Sequence, residues 1–249
     1  MNKIIEGDCI EELRKLDQNS VDLVVTSPPY NVGVDYGEYE DNLSKKEYSR
    51  LIGNLFHKLS RVVKLDGRVC INISLGNESG IVDKAYTVKM HAKTRWDLRF
   101  EFIWDKGNSE SSSAWGSWRS PSSPRPIFNH EYIFVFDVGQ ESKNSEKTIS
   151  KERFMDLVKS VWSIKPETNS EHPAAFPKEI PKRLIELNSY EGDTVLDPFT
   201  GSGTTLVAAE EMNRDYIGIE LNNEYINMAK KRLNSHQPRE DSAKGVFDY

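Results

Sequence analysis

The sequence predicts an α/β fold with a mostly parallel, seven-stranded sheet that contains one antiparallel strand. Short apolar runs rich in β-branched residues alternate with amphipathic helical patterns, as in parallel sheets covered on both faces. The clearest helical pattern spans 45–64, where apolar residues recur every three or four positions. The predicted strands lie near residues 3–5, 21–25, 68–74, 99–104, 131–136, 193–197 and 215–220. The fourth and fifth strands have no good helix between them, so we expect this pair to run antiparallel.

The composition indicates one globular unit. The chain has 249 residues, of which 37% are hydrophobic and 29% charged, and we expect a single domain spanning 1–249. No run approaches the roughly 18 apolar residues of a membrane span, and the first residues lack a signal-peptide core, so we expect a cytoplasmic protein with no membrane partner. Cys9 and Cys70 flank or lie in apolar strands, which favours buried free thiols. The five histidines have no ligand spacing with cysteines or carboxylates, and we expect no metal.

The tetrapeptide Ser27-Pro28-Pro29-Tyr30 follows the apolar run at 21–25. Each proline fixes φ and lacks an N–H group, so the backbone here is stiff. We expect the Ser27 hydroxyl and the Pro28 carbonyl to project as acceptors beside the Tyr30 ring, an arrangement that we call the acceptor ledge (residues 27–30). Such a ledge fits a flat ring with an exocyclic amine, which donates two hydrogen bonds and stacks on the tyrosine. An ordinary strand-ending turn explains the tetrapeptide alone equally well.

A second segment, residues 197–205, joins a strand to the helical pattern at 206–212 through a glycine-rich turn, and we call it the cofactor loop. Glycines let a ligand approach the backbone, and Glu220, nineteen residues after Gly201, is placed to accept hydrogen bonds from ribose hydroxyls. The loop lacks the Gly-Lys-Ser/Thr of a P-loop and the third glycine of the dinucleotide fingerprint. Asp197 would repel a pyrophosphate but could hold an ammonium group, which points to S-adenosylmethionine. The alternative is an ordinary turn between a strand and a helix.

Together these segments resemble a known family. DPFTGSGTT at 197–205 and TSPPY at 26–30 are similar to the amino-methyltransferases of DNA, which methylate an exocyclic nitrogen of adenine or cytosine. The ledge precedes the cofactor loop, which is the order of that family's permuted β group. HPAAFP at 172–177 is similar to the motif that closes over the methionine end of the cofactor. Gly7-Asp8 resembles the strand end whose aspartate contacts the cofactor's adenine.

The resemblance implies a Rossmann-like, circularly permuted methyltransferase fold with S-adenosyl-L-methionine as cofactor. The residues fit this permutation, because a strand at 3–5 can follow the helix after Glu220 as the next parallel strand. The implied catalytic residues are Ser27, Pro28, Pro29 and Tyr30. The expected cofactor-binding residues are Asp8, Cys9, Thr26, Phe176, Pro177, Asp197, Pro198, Phe199, Gly201, Ser202, Gly203, Thr204, Thr205, Glu220 and Leu221.

These motifs predict methyl transfer to a base amine. The acceptors of the ledge would draw the amine hydrogens out of the ring plane, and the target base would be flipped out of the duplex to stack on Tyr30. Position 27 holds serine rather than aspartate, and the motif at 172–177 ends in Ala-Ala-Phe-Pro. Both features resemble those of the cytosine-N4 enzymes. We therefore expect a site-specific cytosine-N4 DNA methyltransferase. Methylation of adenine N6 stays open, as does a catalytically silent DNA-binding subunit, although a silent subunit needs neither motif.

Because the net charge is −6, we expect DNA phosphates to be bound by local basic segments rather than by the protein surface as a whole. The polar inserted loop 107–126 contains Trp115, Trp118, Arg119 and Arg125, which we predict contact DNA; tryptophans packing a surface hairpin are the alternative. The resemblance implies target recognition at 139–171, and residues 236–249 form a polar C-terminal tail. Double-stranded DNA is the expected partner. The sequence leaves open a cognate restriction endonuclease and whether the enzyme is a monomer or a homodimer.

Overall fold

The computed structural model describes residues 2–31, 42–75, 84–107, 116–117, 119–124, 128–139, 146–167 and 176–236. The strands are β1 (Lys3–Glu6), β2 (Val21–Thr26), β3 (Val63–Ser74), β4 (Asp97–Asp105), β5 (His130–Asp137), β6 (Val161–Ser163), β7 (Thr194–Asp197) and β8 (Asp215–Glu220). The helices are α1 (Cys9–Lys15), α2 (Lys45–Val62), α3 (Lys84–Lys93), α4 (Lys151–Leu157), α5 (Glu179–Asn188), α6 (Thr204–Glu211) and α7 (Asn223–His236).

The described strands form one eight-stranded sheet in the order β1-β8-β7-β2-β3-β5-β4-β6. Every neighbouring pair is parallel except the two that include β5, so the predicted antiparallel pairing of β4 with β5 is confirmed. The predicted count of seven strands was wrong. Val161–Ser163 adds a three-residue edge strand beside β4. Only its central Trp162 is buried, and so short a run is not enough to produce a periodic pattern.

The two ends of the described chain meet in this sheet. β1 pairs in parallel with β8, with Ile4 opposite Gly218. The Gly7 amide then donates a 2.9 Å hydrogen bond to the Glu220 carbonyl, and α7 packs against both strands. The fold is therefore the permuted Rossmann-like arrangement that the order of motifs implied.

Helices cover both faces of the sheet. On one face α2 begins at Ser44, whose hydroxyl and Glu47 form a reciprocal capping box, and it buries Ile52, Leu55 and Phe56 completely. On the other face α5 and α6 bury side chains such as Leu184 against the sheet. Each fully buried side chain of this size stabilises the fold by about 2 kcal/mol. No helix in the described part of the chain is long and apolar enough to cross a membrane.

Candidate active site

The carboxyl ends of four neighbouring parallel strands, β1, β8, β7 and β2, surround one cleft. This is where ligands bind in open α/β sheets. The cleft is lined by most of the predicted site residues: Asp8, Cys9, Ser27, Pro28, Pro29, Tyr30, Phe176, Asp197, Pro198, Phe199, Gly201, Ser202, Thr204, Glu220 and Leu221. The acceptor ledge and the cofactor loop therefore face the same space, although more than 160 residues separate them in the sequence.

The four remaining residues that were predicted to bind the cofactor lie behind the cleft surface. Thr26 is buried and donates a 2.6 Å hydrogen bond to Oδ1 of Asp197. Thr205 is fully buried in α6, and its hydroxyl lies 3.5 Å from the Val25 carbonyl. Gly203 precedes α6 with φ +83°, and the Pro177 carbonyl accepts a 2.9 Å hydrogen bond from the Ile180 amide at the start of α5. These four residues support the cleft rather than line it.

Asp197 is the most strongly perturbed carboxylate of the cleft. It is 2% exposed, and burial raises its pKa from 3.8 to about 6. Hydrogen bonds from the Thr26 hydroxyl (2.6 Å) and the Phe199 amide (3.1 Å), both to Oδ1, act in the opposite direction and favour the charged form. No lysine or arginine of the described chain forms an ion pair with it, so a cationic ligand group would supply the missing counter-charge.

Glu220 and Asp8 are held at the rim of the cleft by backbone amides. The two oxygens of Glu220 accept hydrogen bonds from the Gly201 amide (2.8 Å) and the Asn222 amide (2.9 Å). Asp8 caps α1 with Oδ1 alone, which accepts from the Ile10 and Glu11 amides at 2.9 and 3.1 Å. Both carboxylates are therefore fixed in orientation while they face the cleft.

Arg232 of α7 braces the cofactor loop, a role that the sequence analysis missed. Its Nη1 donates to the Ser202 carbonyl (3.0 Å), the Ser202 hydroxyl (2.8 Å) and the Thr204 hydroxyl (3.0 Å). No local sequence pattern predicts this contact for an arginine near the end of a helix, because the contact depends on how α7 packs against the loop. Leu51, Ile219 and Tyr225 are further residues that line the cleft and were not predicted to do so.

The ledge is connected to a buried polar network that the sequence analysis also missed. The Ser27 hydroxyl lies 2.9 Å from Tyr30 Oη, and Tyr30 Oη donates a 2.6 Å hydrogen bond to Glu131 Oε2. Asn72 Nδ2 donates to both Tyr30 Oη (2.9 Å) and Glu131 Oε2 (2.6 Å). The available signal was a glutamate and an asparagine inside otherwise apolar strands, at positions that would normally hold core residues.

The predicted DNA contacts lie mostly outside the described residues. Trp115, Trp118 and Arg125 are among these, as are His172 to Ala175 of the motif before α5. Arg119 is described: it is exposed, adopts φ +56° in a turn, and does not line the cleft. Both cysteines are buried and unpaired, and burial raises the pKa of Cys70 to about 12. The described residues contain no cluster of side chains that could hold a metal ion.

A comparison with known families identifies the family of this chain. The model of the DNA methylase family N6_N4_Mtase matches residues 21–231, from the start of β2 into α7. The chain belongs to this family. It is therefore a DNA amino-methyltransferase, as the combination of its two motifs predicted.

Individual relatives and solved structures agree with that assignment. The type II methyltransferase M.SmaI of Serratia marcescens is 32% identical, over 93% of this chain and 90% of M.SmaI. The DNA adenine methyltransferase YhdJ of Escherichia coli K12 is 29% identical, over 97% of this chain and 86% of YhdJ. The structure of TTHA0409 from Thermus thermophilus matches with a TM-score of 0.77 and 25% identity, over 96% and 97% of the two chains. TTHA0409 has also been solved with S-adenosyl-L-methionine. The cytosine-N4-specific PvuII DNA methyltransferase shares the fold, with a TM-score of 0.75 and 21% identity over 93% and 86%.

Proposed function

We propose that this amino-methyltransferase moves a methyl group from S-adenosyl-L-methionine to the exocyclic N4 of a flipped-out cytosine at a specific site in double-stranded DNA. One observation carries the proposal: the acceptor ledge and the cofactor loop line the same cleft. A base amine held on the ledge therefore meets a cofactor held on the loop with no further element between them. This proximity converts the transfer into a reaction within one complex.

The cleft suits the two ends of the cofactor, which supplies a methyl group on a positively charged sulfur. Asp197, buried and without an ion-pair partner in the described chain, would hold the ammonium of the methionine end. Glu220 and Asp8, fixed by backbone amides, would accept hydrogen bonds from the ribose and adenine ends. The aromatic ring of Phe199 and the side chain of Leu221 offer apolar walls for the adenine.

The ledge would activate the amine by drawing its hydrogens out of the ring plane, which takes the nitrogen lone pair out of conjugation with the ring. The Ser27 hydroxyl and the Pro28 carbonyl would each accept a hydrogen bond from one N–H group of the amine, so that the nitrogen becomes more tetrahedral and its lone pair available. The same two oxygens stabilise the positive charge that develops on nitrogen as the new bond forms. Tyr30 lines the cleft beside them and would stack on the flipped base. A strong general base is not required, because the proton can leave after transfer.

The choice of cytosine N4 over adenine N6 depends on two features of the sequence. Serine at position 27 and the Ala-Ala-Phe-Pro ending before α5 resemble the cytosine-N4 enzymes. YhdJ, a DNA adenine methyltransferase that is 29% identical to this chain, keeps adenine N6 as the second candidate. Sequence identity alone does not separate the two, so the product must be measured.

DNA would be recognised by segments outside the cleft. We assign target recognition to 139–171 and backbone or base contacts to Trp115, Trp118, Arg119 and Arg125 of the inserted loop. The relation to M.SmaI, a type II methyltransferase, supports a cognate restriction endonuclease that acts on the same site. We place the enzyme in the cytoplasm, where its DNA substrate lies.

The test is transfer of labelled methyl from S-adenosyl-L-methionine to unmethylated genomic DNA, followed by nuclease digestion and mass spectrometry of the nucleosides. The expected product is N4-methylcytosine. N6-methyladenine as the sole product would replace the proposed base with the second candidate. Label in protein but not in DNA would overturn the proposal.

A further inference from the structure

A buried carboxylate, Glu131, lies directly behind the acceptor ledge and is not among the residues that line the cleft. It is 5% exposed. Its Oε2 accepts hydrogen bonds from Tyr30 Oη and from Asn72 Nδ2, both at 2.6 Å. Its Oε1 accepts a 2.5 Å hydrogen bond from Lys106 Nζ, which also lies 4.8 Å from the centre of the Trp104 ring.

The register of the sheet brings these groups together. In the antiparallel pair of β3 and β5, Ser74 lies opposite Glu131 and Asn72 opposite Ile133, so Asn72 and Glu131 are diagonal neighbours on one face. Across the next pair, Trp104 of β4 lies opposite Glu131, which places Lys106 within reach on the other side. A carboxylate so enclosed is costly to bury unless its partners are fixed, and here three donors fix it.

Among the described residues, the donors and acceptors of this network fix the direction of its hydrogen bonds. An ionised carboxylate beside a lysine accepts hydrogen bonds and donates none, so Tyr30 must give its single hydroxyl hydrogen to Glu131. The lone pairs of Tyr30 Oη are then left to accept from Asn72 Nδ2 and from the Ser27 hydroxyl. Ser27 Oγ lies 2.9 Å from Tyr30 Oη and 3.2 Å from the Asn72 carbonyl, and both are acceptors for its hydrogen. The hydrogen of Ser27 is thus turned inward and its lone pairs face the cleft.

We propose that Glu131 is a positioning residue that, through Tyr30, turns the Ser27 hydrogen inward and so favours an exocyclic amine over an exocyclic carbonyl at Ser27. A free serine hydroxyl can donate or accept, and a donor at this position would suit a base carrying a carbonyl oxygen. The buried carboxylate removes that choice through Tyr30. The inference rests on the proposed function, since it requires a base amine as the group that meets Ser27.

Glu131→Gln is the decisive variant, because it keeps the shape and removes the charge. The glutamine amide can donate a hydrogen bond to Tyr30 Oη. Tyr30 can then donate to Ser27, which reverses the direction of the hydrogen bonds between these residues. We expect kcat for methyl transfer to fall about 10- to 100-fold, while the dissociation constant of the cofactor stays unchanged. The matched control is Glu101→Gln, since Glu101 pairs with Lys89 at the surface of the neighbouring strand β4 and should leave kcat unchanged.

A binding measurement separates positioning from a merely structural role. Duplex DNA is prepared with the target base or with its deaminated counterpart, uracil for cytosine or hypoxanthine for adenine, which carries a carbonyl in place of the amine. The wild-type chain should prefer the amine, and Glu131→Gln should reduce that preference at least about tenfold. Tyr30→Phe removes the 2.9 Å acceptor of the Ser27 hydrogen and leaves only the Asn72 carbonyl at 3.2 Å, so it should reduce the same preference, and adding Glu131→Gln to it should cost little more.

Each outcome is decisive. Wild-type transfer to DNA together with an unchanged kcat and an unchanged base preference in Glu131→Gln would overturn the inference and leave the proposed function standing. A base preference in Tyr30→Phe as large as that of the wild type would overturn it as well, even if Glu131→Gln failed to fold. Absence of methyl transfer to DNA by the wild-type chain would overturn the proposed function, and the inference with it.

Discussion

The hydroxyl of Thr26 donates a 2.6 Å hydrogen bond to Oδ1 of Asp197, and this bond joins the ends of β2 and β7 beneath the cleft. The two residues are 171 positions apart: the ledge follows directly after Thr26, and Asp197 is the first residue of the cofactor loop. This buried contact therefore ties the residue before the ledge to the first residue of the cofactor loop, in addition to the backbone pairing of the two strands.

Asp197→Asn should weaken S-adenosyl-L-methionine binding about 10- to 100-fold, which corresponds to the loss of one charge-assisted hydrogen bond of about 1.5–3 kcal/mol. Both hydrogen bonds that the neighbouring residues donate use Oδ1, an atom that asparagine retains, so the loop should keep its shape. Isothermal titration with the cofactor measures the change. Asp193→Asn is the matched control, because Asp193 also has a pKa raised by burial but lies before β7, away from the cleft. Equal affinities for Asp197→Asn and the wild type would refute the ammonium contact.

Asp197→Asn should also stabilise the cofactor-free protein. Burial raises the pKa of Asp197 from 3.8 to about 6, so the folded state binds the proton more tightly than the unfolded state. The cost of burying the charge is thus fully present above pH 6, where it amounts to about 3 kcal/mol at most, and it is relieved as the pH falls toward 4. Urea denaturation at pH 8 should show a higher free energy of unfolding for the variant, and the difference should be about halved at pH 5. A difference that grows on acidification would contradict this sign.

Ser27→Ala should lower kcat for methyl transfer by about 100-fold or more, since it removes one of the two acceptors that stabilise the developing charge. Cofactor binding should change little, because Ser27 bonds to Tyr30 and the Asn72 carbonyl rather than to the cofactor loop. Radiolabel transfer to DNA and titration of the cofactor measure the two quantities separately. Full activity of Ser27→Ala would rule out the ledge mechanism.

The sequence predicted those features that depend on local pattern or on strand direction. The periodic stripe at 45–64 located α2 to within two residues, at Lys45–Val62. Ser27 and Asp197 line one cleft because both lie at the carboxyl ends of neighbouring parallel strands, β2 and β7. The contact between Tyr30 and Glu131 could not be predicted, because it depends on the antiparallel register of β5 against β3. The three-residue strand β6 was missed because it has a single buried residue, Trp162, and therefore no repeating pattern in the sequence. It forms a strand only through its pairing with β4, which is distant in the sequence.

Gly203→Ala should destabilise the protein by about 2 to 5 kcal/mol and weaken cofactor binding. Gly203 has φ +83°, where a side chain costs about 1–2 kcal/mol. A Cβ at this position would also lie 2.7 Å from the Cβ of Ala229 in α7, so α7 would have to move away from the loop that Arg232 braces. Urea denaturation and cofactor titration of the variant measure both effects.

Gly192→Ala is the control that separates the cost of backbone strain from the cost of the clash with Ala229 in Gly203→Ala. Gly192 has the same φ of +83°, but a Cβ there would meet nothing within 4 Å. Its substitution should therefore cost only the backbone term of about 1–2 kcal/mol and leave cofactor affinity unchanged. If the two variants lost equal stability and both kept wild-type cofactor affinity, the close approach of α7 to the cofactor loop would have no energetic role, and only the left-handed backbone would explain the glycine.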